Sequence, residues 1–262
     1  GRNLWTRRQR KSSKSRPEHC AGQYPTTHLT PIRHFTSDIK SSMQSNLFQQ
    51  FAPVISALTT EELSGAGRLN EKLRLASDGP LEICYAPVEY INAQARIVIV
   101  GITPGRTQML NALRECRRQL DGGADAQAAL RAAKLTAAFS GSMRPNLVAL
   151  LDSVGLNTWL DLASCSELFG RAAHLAQTAS VLRNPVFVNG ENYNGSPSLV
   201  RHPLLRQQLF DGFGVDARAL PFAVFVPLGE KVSEALYLLA EHGYLSKNRI
   251  LDGLPHPSGA NA

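Results

Sequence analysis

The sequence has few cysteines and no long apolar run. Its four cysteines (Cys20, Cys84, Cys116 and Cys165) include no CxxC pair. This spacing argues against a zinc site, an iron–sulfur cluster or a disulfide framework. No apolar segment approaches the roughly 18–20 residues that cross a bilayer. We therefore expect a cytoplasmic protein that uses no metal or other cofactor and does not bind a membrane.

Excess charge is also missing from most of the chain. The formal net charge is +7, but residues 1–40 contain nine Lys or Arg and two acidic residues, and the rest contains nineteen of each sign. The basic character therefore belongs to the N-terminal segment, and the remainder is neutral. A neutral body does not support steering onto DNA by a global electrostatic field, so any phosphate contact there has to be local.

Residues 1–40 form the first predicted segment, a basic tail. The tail is rich in Arg, Lys and Ser, has no acidic residue before Glu18, and lacks the apolar core of a secretory signal. It is consistent with a disordered or non-native extension, an organelle transit peptide or a nucleic-acid-binding arm. Residues 41–262 are predicted to form one domain.

Alternating strand and helix patterns predict the architecture of that domain. Three apolar runs are typical of buried parallel strands: 95–100, 184–189 and 221–226. Helical patterns occupy 45–64, 106–120, 124–138, 145–154, 199–210 and about 228–243, and 249–252 is a last strand candidate. This alternation predicts a three-layer α/β/α fold with a mostly parallel central sheet. Ligands of such sheets bind beyond the carboxyl ends of the strands, which selects the loops 101–108, 189–198, 227–230 and 253–262.

The first of these loops, Gly101-Ile-Thr-Pro-Gly-Arg-Thr-Gln108, connects a strand to a helix. Its glycines permit close backbone approach, and Pro104 stiffens the turn. The amides of the following helix are expected to face the crevice, which would suit an anion or a carbonyl-bearing ring. The loop is neither a dinucleotide fingerprint nor a Walker loop, because it lacks GxGxxG and Gly-Lys-Ser/Thr.

The last loop, Leu254-Pro-His-Pro-Ser-Gly-Ala-Asn261, holds a histidine between two prolines. Such a histidine is rigidly presented, as a preorganised catalytic group has to be. Ser258 and the backbone of Gly259 could contact a phosphate. We therefore expect His256 to have a functional role.

Together, these two loops resemble the signature motifs of the uracil-DNA glycosylase superfamily. Gly101-Ile-Thr-Pro-Gly105 is closest to the motif of the mismatch-specific uracil/thymine branch, and His256-Pro-Ser258 resembles a motif of several other branches. Phe139 before a Leu-rich helix, Val186-Phe-Val-Asn189 and the Leu228-Gly229 turn follow in the order that the superfamily shows. The resemblance covers about residues 96–262.

The resemblance implies a function and assigns roles to residues. It implies a base-excision repair glycosylase that flips uracil or a related base out of DNA and hydrolyses its N-glycosidic bond. Phe139 would stack on the base, and Asn189 would bind its edge. His256 and the amides of the first loop would stabilise the leaving base, and Gly101, Ile102, Pro104 and Gly105 would surround it. Ser258, Gly259 and Ala260 would enter the duplex or hold phosphate.

Thr103 departs from the pattern that the resemblance implies. Active relatives place Asp or Asn there to position the attacking water, and a hydroxyl is a poor base. We therefore expect N-glycosidic cleavage to be weak, altered or absent. Asp161, Glu191 and Asn192 are candidate substitutes for Thr103 in positioning the water. Ala260 is also small for an inserted wedge. Because relatives continue into a closing helix, the sequence is expected to be truncated at its C-terminus.

Three functions remain open at this stage. The first is a metal-free and cofactor-free glycosylase that acts as a monomer on uracil-containing or mismatched DNA. The second is a protein of the same fold that binds damaged bases or single strands without cutting them, which Thr103 and the neutral body favour. The third is a hydrolase of small nucleosides or nucleotides that uses the same crevice.

Overall fold

The computed structural model describes residues 37–65 and 69–258, with only the backbone considered for residues 37–46. Within these residues the α-helices are α1 (Ser37–Ser56), α2 (Thr60–Leu63), α3 (Leu69–Lys72), α4 (Arg106–Asp121), α5 (Ala126–Ala137), α6 (Met143–Ser153), α7 (Leu156–Trp159), α8 (Pro203–Gln208), α9 (Val215–Arg218) and α10 (Glu230–Glu241). The strands are β1 (Arg74–Asp78), β2 (Leu81–Cys84), β3 (Ile97–Gly101), β4 (Ala176–Ser180), β5 (Val186–Val188), β6 (Glu191–Asn192) and β7 (Val224–Pro227).

The strands form two sheets, and the protein is an α/β protein. One sheet is parallel, with the order β4-β3-β7. Single parallel bridges from Phe225 to Ile250 and from Leu228 to Leu254 extend it beyond β7. The other sheet is antiparallel, with the order β1-β2-β5-β6.

β3 is the central strand of the parallel sheet and is buried along its whole length. Its side chains alternate between two hydrophobic clusters, as the pleat of a strand requires. Ile97 and Ile99 pack in a cluster that contains Leu147 and Leu151 of α6. Val98 and Val100 pack on the opposite face with α8 and α10. An unbroken β-branched run satisfies both faces, which explains why this segment forms the middle strand.

Helices α4 and α5 pack against each other and against the antiparallel sheet. α4 ends at Asp121, and Gly123 takes the left-handed conformation (φ 76°) that closes many helices. The side chain of Asp125 then accepts a hydrogen bond from the amide of Ala128 (2.8 Å) and begins α5. The segment Asp121-Gly-Gly123 therefore ends α4 and separates it from α5, as the sequence predicted.

The prediction of one mostly parallel sheet needs correction. Residues 184–189 were expected to supply its second strand, but β5 lies in the antiparallel sheet, paired with β2. The parallel neighbour of β3 is β4, Ala-Gln-Thr-Ala-Ser, whose small and polar residues give no strong strand signal. Residues 249–252 form an isolated bridge instead of a strand. Predicted strands at β3 and β7 and predicted helices at α4, α5, α6 and α10 are confirmed.

The described residues include only part of the predicted N-terminal tail and of the predicted domain. Residues 1–36 and 259–262 lie outside the described residues, and α1 already begins at Ser37, before the expected domain start at residue 41. None of the helices in the described part combines the length and hydropathy needed to cross a membrane. Within the same residues, no three His, Cys, Asp or Glu side chains are grouped so as to hold a metal ion.

Shortening Ile99 in the middle of β3 should strongly destabilise the fold. Ile99 is 0% exposed, so Ile99→Ala removes buried methyl groups and leaves a cavity between helices and sheet. We expect the free energy of unfolding to fall by about 2–5 kcal/mol in urea denaturation. The control Leu251→Ala, at a side chain that is 56% exposed, should change it by less than about 0.5 kcal/mol. Equal effects would contradict the central place of β3.

Candidate functional site

A cleft lies beyond the carboxyl ends of β3 and β4. It encloses about 650 Å³ of space, including its opening to solvent. The cleft is lined by residues 101–104 and Gln108, by Lys134 and residues 137–139, by Met143, by residues 178–180, by Arg183 and Asp216, and by Val88 and His256. The place of the cleft agrees with the ligand position in parallel α/β sheets.

The loop after β3 forms the first part of the cleft. Gly101 pairs with Ser180 at the end of β4. The carbonyls of Gly101 and Ile102 then accept hydrogen bonds from the amides of Val181 (3.0 Å) and Leu182 (2.9 Å). A Cβ atom on Gly101 would lie 3.4 Å from the ring of Phe139. The aromatic ring of Phe139 therefore packs directly against the end of the strand.

Thr103 connects this loop to the antiparallel sheet. Its hydroxyl donates to the carbonyl of Asn184 (3.0 Å) and accepts from the amide of Val186 (3.2 Å). A hydroxyl has a single proton, and this one is engaged with the backbone. Although Thr103 lines the cleft, these contacts make it a tie between the loop and β5, with little capacity left to orient a water molecule.

Asn192 occupies the beginning of α4. Its Oδ1 atom accepts a hydrogen bond from the amide of Arg106 (2.8 Å), the first residue of the helix. The guanidinium of Arg106 in turn donates to the carbonyl of Gly190 (2.7 Å) and lies over the ring of Phe187. The loop 189–198 therefore docks onto the helix, and one of the amides that the sequence had assigned to a ligand is used by Asn192.

Phe139 follows α5 with a left-handed backbone (φ 49°), which is costly for a bulky residue. The guanidinium of Arg144 donates to the carbonyls of Leu135, Thr136 and Ala138 and so holds the end of α5 in place. The ring of Phe139 is buried and lines the cleft beside Gly101. Phe139 therefore lies at the cleft, and its role as a stacking residue stays a prediction.

His256 enters the cleft from the last described loop. The amide of Gly229 donates to the carbonyl of Leu254 (2.9 Å), and Asn146 donates to the carbonyl of Pro257 (3.3 Å), so the backbone is fixed on both sides of the histidine. Burial lowers the pKa of His256 below its ordinary 6.5. The imidazole is therefore neutral at neutral pH and can donate one hydrogen bond without carrying a charge.

The cleft unites most but not all of the residues predicted for the site. Gly101, Ile102, Thr103, Pro104, Phe139 and His256 line it. Gly105 begins α4 beside Asn192 and is not a lining residue. Asn189 lies after β5, where its amide donates to the carbonyl of Pro80 (2.9 Å), and Ser258 is partly exposed; neither lines the cleft. Gly259 and Ala260 lie outside the described residues.

Sequence reasoning missed the polar residues of the cleft. Thr178 and Ser180 occupy alternate positions of β4, so their side chains share one face of the strand. Arg183 forms two hydrogen bonds with Asp216 (2.5 and 2.9 Å) and a third with the carbonyl of Gly212 (2.9 Å). Arg183 and Asp216 are 33 positions apart, so no local pattern reveals their pairing.

Lys134 is the other cation of the cleft. It lies on α5, and its Nζ atom donates to the carbonyl of Val88 (2.6 Å). Burial lowers the pKa of Lys134 to about 8. Glu89 is buried nearby, and its Oε1 atom accepts a hydrogen bond from the hydroxyl of Tyr85 (2.7 Å).

Comparison with known proteins finds similarity to a bacterial protein. The chain is 36% identical over 209 residues to the uncharacterized protein YoxB of Bacillus subtilis (strain 168), and the alignment covers 79% of this chain and 80% of YoxB. No family model matches the chain, and no solved structure matches it. The similarity therefore establishes a protein family and leaves its activity open.

The hydroxyl of Thr103 should contribute to stability. Thr103→Val preserves the shape of the side chain but leaves the carbonyl of Asn184 and the amide of Val186 without this partner. We expect the free energy of unfolding to fall by about 1–3 kcal/mol. Thr103→Ser keeps the hydroxyl and should recover most of the loss. Urea denaturation of both variants checks this, and equal stabilities would show that the hydroxyl is not a structural tie.

Proposed function

The chain belongs to the same family as YoxB of Bacillus subtilis, and we propose that its cleft binds a flipped nucleobase and hydrolyses the N-glycosidic bond. The observation that carries this proposal is the convergence of two distant loops on one cleft. Pro104 and His256 stand 152 positions apart in the chain (256 minus 104), and both line the cleft with Phe139. These are the loops whose motifs resemble those of uracil-DNA glycosylases.

The proposed fold is a three-layer arrangement of the uracil-DNA glycosylase type. Its support is the parallel order β4-β3-β7, continued by the bridges at Ile250 and Leu254. In such a sheet the loops after the first and last parallel segments open on the same edge. A ring bound in the cleft would therefore lie beside the backbone of Gly101 and the imidazole of His256.

The walls of the cleft suit a planar ring with polar edges. Ile102, Pro104, Phe139 and Met143 provide apolar contact, and the ring of Phe139 is available for stacking. Ser180 supplies a hydroxyl from the end of β4. In this proposal Ser180 takes the place that the sequence had assigned to Asn189, because Ser180 lines the cleft and Asn189 does not.

The neutral imidazole of His256 would stabilise the leaving base. Cleavage places negative charge on the oxygen next to the glycosidic nitrogen, and a preorganised N–H donor reduces its cost. Desolvation lowers the pKa of His256, so the histidine donates this hydrogen bond as a neutral group. Removing one such donor in an enzyme commonly costs about 100-fold or more in rate.

Gln108 is the proposed partner of the attacking water. It lies in the first turn of α4 and lines the cleft, and its side-chain amide forms no hydrogen bond with another described residue. An amide can hold a water molecule through both its oxygen and its nitrogen. Gln108 would therefore position the attacking water, because the hydroxyl of Thr103 is already bonded to the backbone. As a base, however, an amide is weak.

Binding of a base without cleavage is the second candidate function. The observation that favours it is the commitment of the Thr103 hydroxyl to the backbone at Asn184 and Val186. Under this alternative, the protein recognises a damaged base or a single strand and releases it intact. Uracil-containing or mismatched DNA remains the proposed partner in both cases, and a monomer the proposed state.

Loss of His256 should abolish base excision. Labelled oligonucleotides with uracil, thymine or hypoxanthine opposite guanine are incubated with the protein and then treated with alkali, which breaks the strand at each abasic site. We expect breakage with uracil and a drop of about 100-fold or more in His256→Ala. Gln108→Ala should also slow the reaction, whereas His174→Ala, at an exposed histidine outside the cleft, should not.

The same experiment distinguishes the alternatives. Binding of the oligonucleotide without strand breakage would favour the non-cutting protein. Breakage that persists in His256→Ala would remove the proposed role of the imidazole. Neither binding nor breakage would argue against nucleic acid and leave small nucleosides to be tested.

A further inference from the structure

Beyond the apolar walls, the cleft contains a charged part, formed by Lys134, Arg183 and Asp216. A base that only needs stacking and a hydrogen-bonding edge does not require buried charges, which are expensive to remove from water. The proposed function therefore does not explain why charged side chains line this part of the cleft.

Arg183 and Asp216 neutralise each other. Their side chains are only 13% and 7% exposed, and two hydrogen bonds of 2.5 and 2.9 Å join the guanidinium to the carboxylate. The guanidinium also donates to the carbonyl of Gly212. This pair is a fixed ion pair of the fold, and it contributes almost no net charge to the cleft.

Lys134 is not neutralised in the same way. Its ammonium donates one hydrogen bond, to the carbonyl of Val88, and forms no direct ion pair with a carboxylate of the described residues. An ammonium has three donors, so two remain for other acceptors. Because Lys134 lines the cleft, a bound ligand can reach them.

The nearest carboxyl groups do not remove this positive charge. Asp216 is held by Arg183, and Glu89 is 6% exposed, with an Oε2 atom that has no hydrogen-bond partner among the described residues. Burial raises the pKa of Glu89, which favours its neutral form. Neither carboxyl group forms an ion pair with Lys134, and its ammonium faces the cleft with only the carbonyl of Val88 as a partner among the described residues.

We propose that Lys134 binds an anionic oxygen group of the ligand, and that the preferred ligand is a planar base carrying a carboxylate. This inference rests on the proposed nucleobase site and names its substrate class. The ring would contact the apolar walls with Phe139, and the carboxylate would accept hydrogen bonds from the Lys134 ammonium and the hydroxyl of Thr178. Phosphate shares the same anionic chemistry, so the experiment has to distinguish the two.

Calorimetric titration of the full chain with matched rings tests the inference. The ligands are 5-carboxyuracil and 6-carboxyuracil, their neutral carboxamides, uracil and inorganic phosphate. We expect at least one carboxylate to bind about tenfold more tightly than its carboxamide, as one charge-assisted hydrogen bond would provide. In Lys134→Met this preference should disappear. Arg131→Met removes a charge from the exposed side of the same helix and should retain it.

The pH dependence of the wild-type protein supplies a test that does not depend on the folding of a variant. The free pKa of Lys134 is about 8, so above that pH the protein has to take up a proton to bind the anion. Carboxylate affinity should fall by about three- to fourfold between about pH 7 and about pH 8.5, and carboxamide affinity should not. Burial lowers the pKa of His256 below 6.5, so the imidazole is neutral over this range. Of the other groups around Lys134, Asp216 is hydrogen-bonded to Arg183, and burial raises the pKa of Glu89.

Each outcome decides the inference separately from the proposed function. Equal binding of carboxylates and carboxamides, no binding of any carboxylated ring, or a preference that survives in Lys134→Met would overturn it, even if uracil were excised from DNA. Tight binding of inorganic phosphate that depends on Lys134, without a preference among the rings, would overturn the assignment to a base. A Lys134-dependent carboxylate preference would support it even if no oligonucleotide were cut.

Discussion

The pairing of β3 with strands on both sides is the constraint on which the rest of this structure depends. All five of its residues are buried, and its two faces hold two separate hydrophobic clusters together. Because β3 cannot move without opening both clusters, Gly101 at its carboxyl end is a fixed point. Phe139 packs against that glycine, and the loop from Ile102 to Pro104 starts from it, so the shape of the cleft follows from the burial of one strand.

The cleft combines rigid backbone with unusual polar groups. The side chain of Thr103 joins the first loop to the segment that begins β5, and the side chain of Asn192 joins β6 to the first residue of α4. The beginning of α4 is therefore fixed to the antiparallel sheet. The chemically active groups that line the cleft are a neutral His256, the amide of Gln108 and the ammonium of Lys134. This set can hold a ring, stabilise an oxygen anion and bind a carboxylate, and it includes no strong general base.

Sequence patterns predicted the strongly periodic elements and failed where periodicity is weak. β3 and β7 are β-branched apolar runs, and α4, α5, α6 and α10 have clear helical spacing, so the structure agrees with their prediction. β4 was missed because its strand character comes from pairing with β3 and not from its own residues. β5 was assigned to the wrong sheet because an apolar run does not specify its partner, which here is β2.

By itself the sequence determined the α/β class and two of the loops that line the cleft, since glycine, proline and β-branched residues restrict the backbone locally. Only the tertiary structure decided which side chains share the cleft. It brought Lys134, Ser180 and Asp216 to it and left Asn189 out, and it committed the hydroxyl of Thr103 to the backbone. Such contacts join residues that are far apart in the chain, and their charges and hydrogen bonds acquire their energies only when burial excludes water.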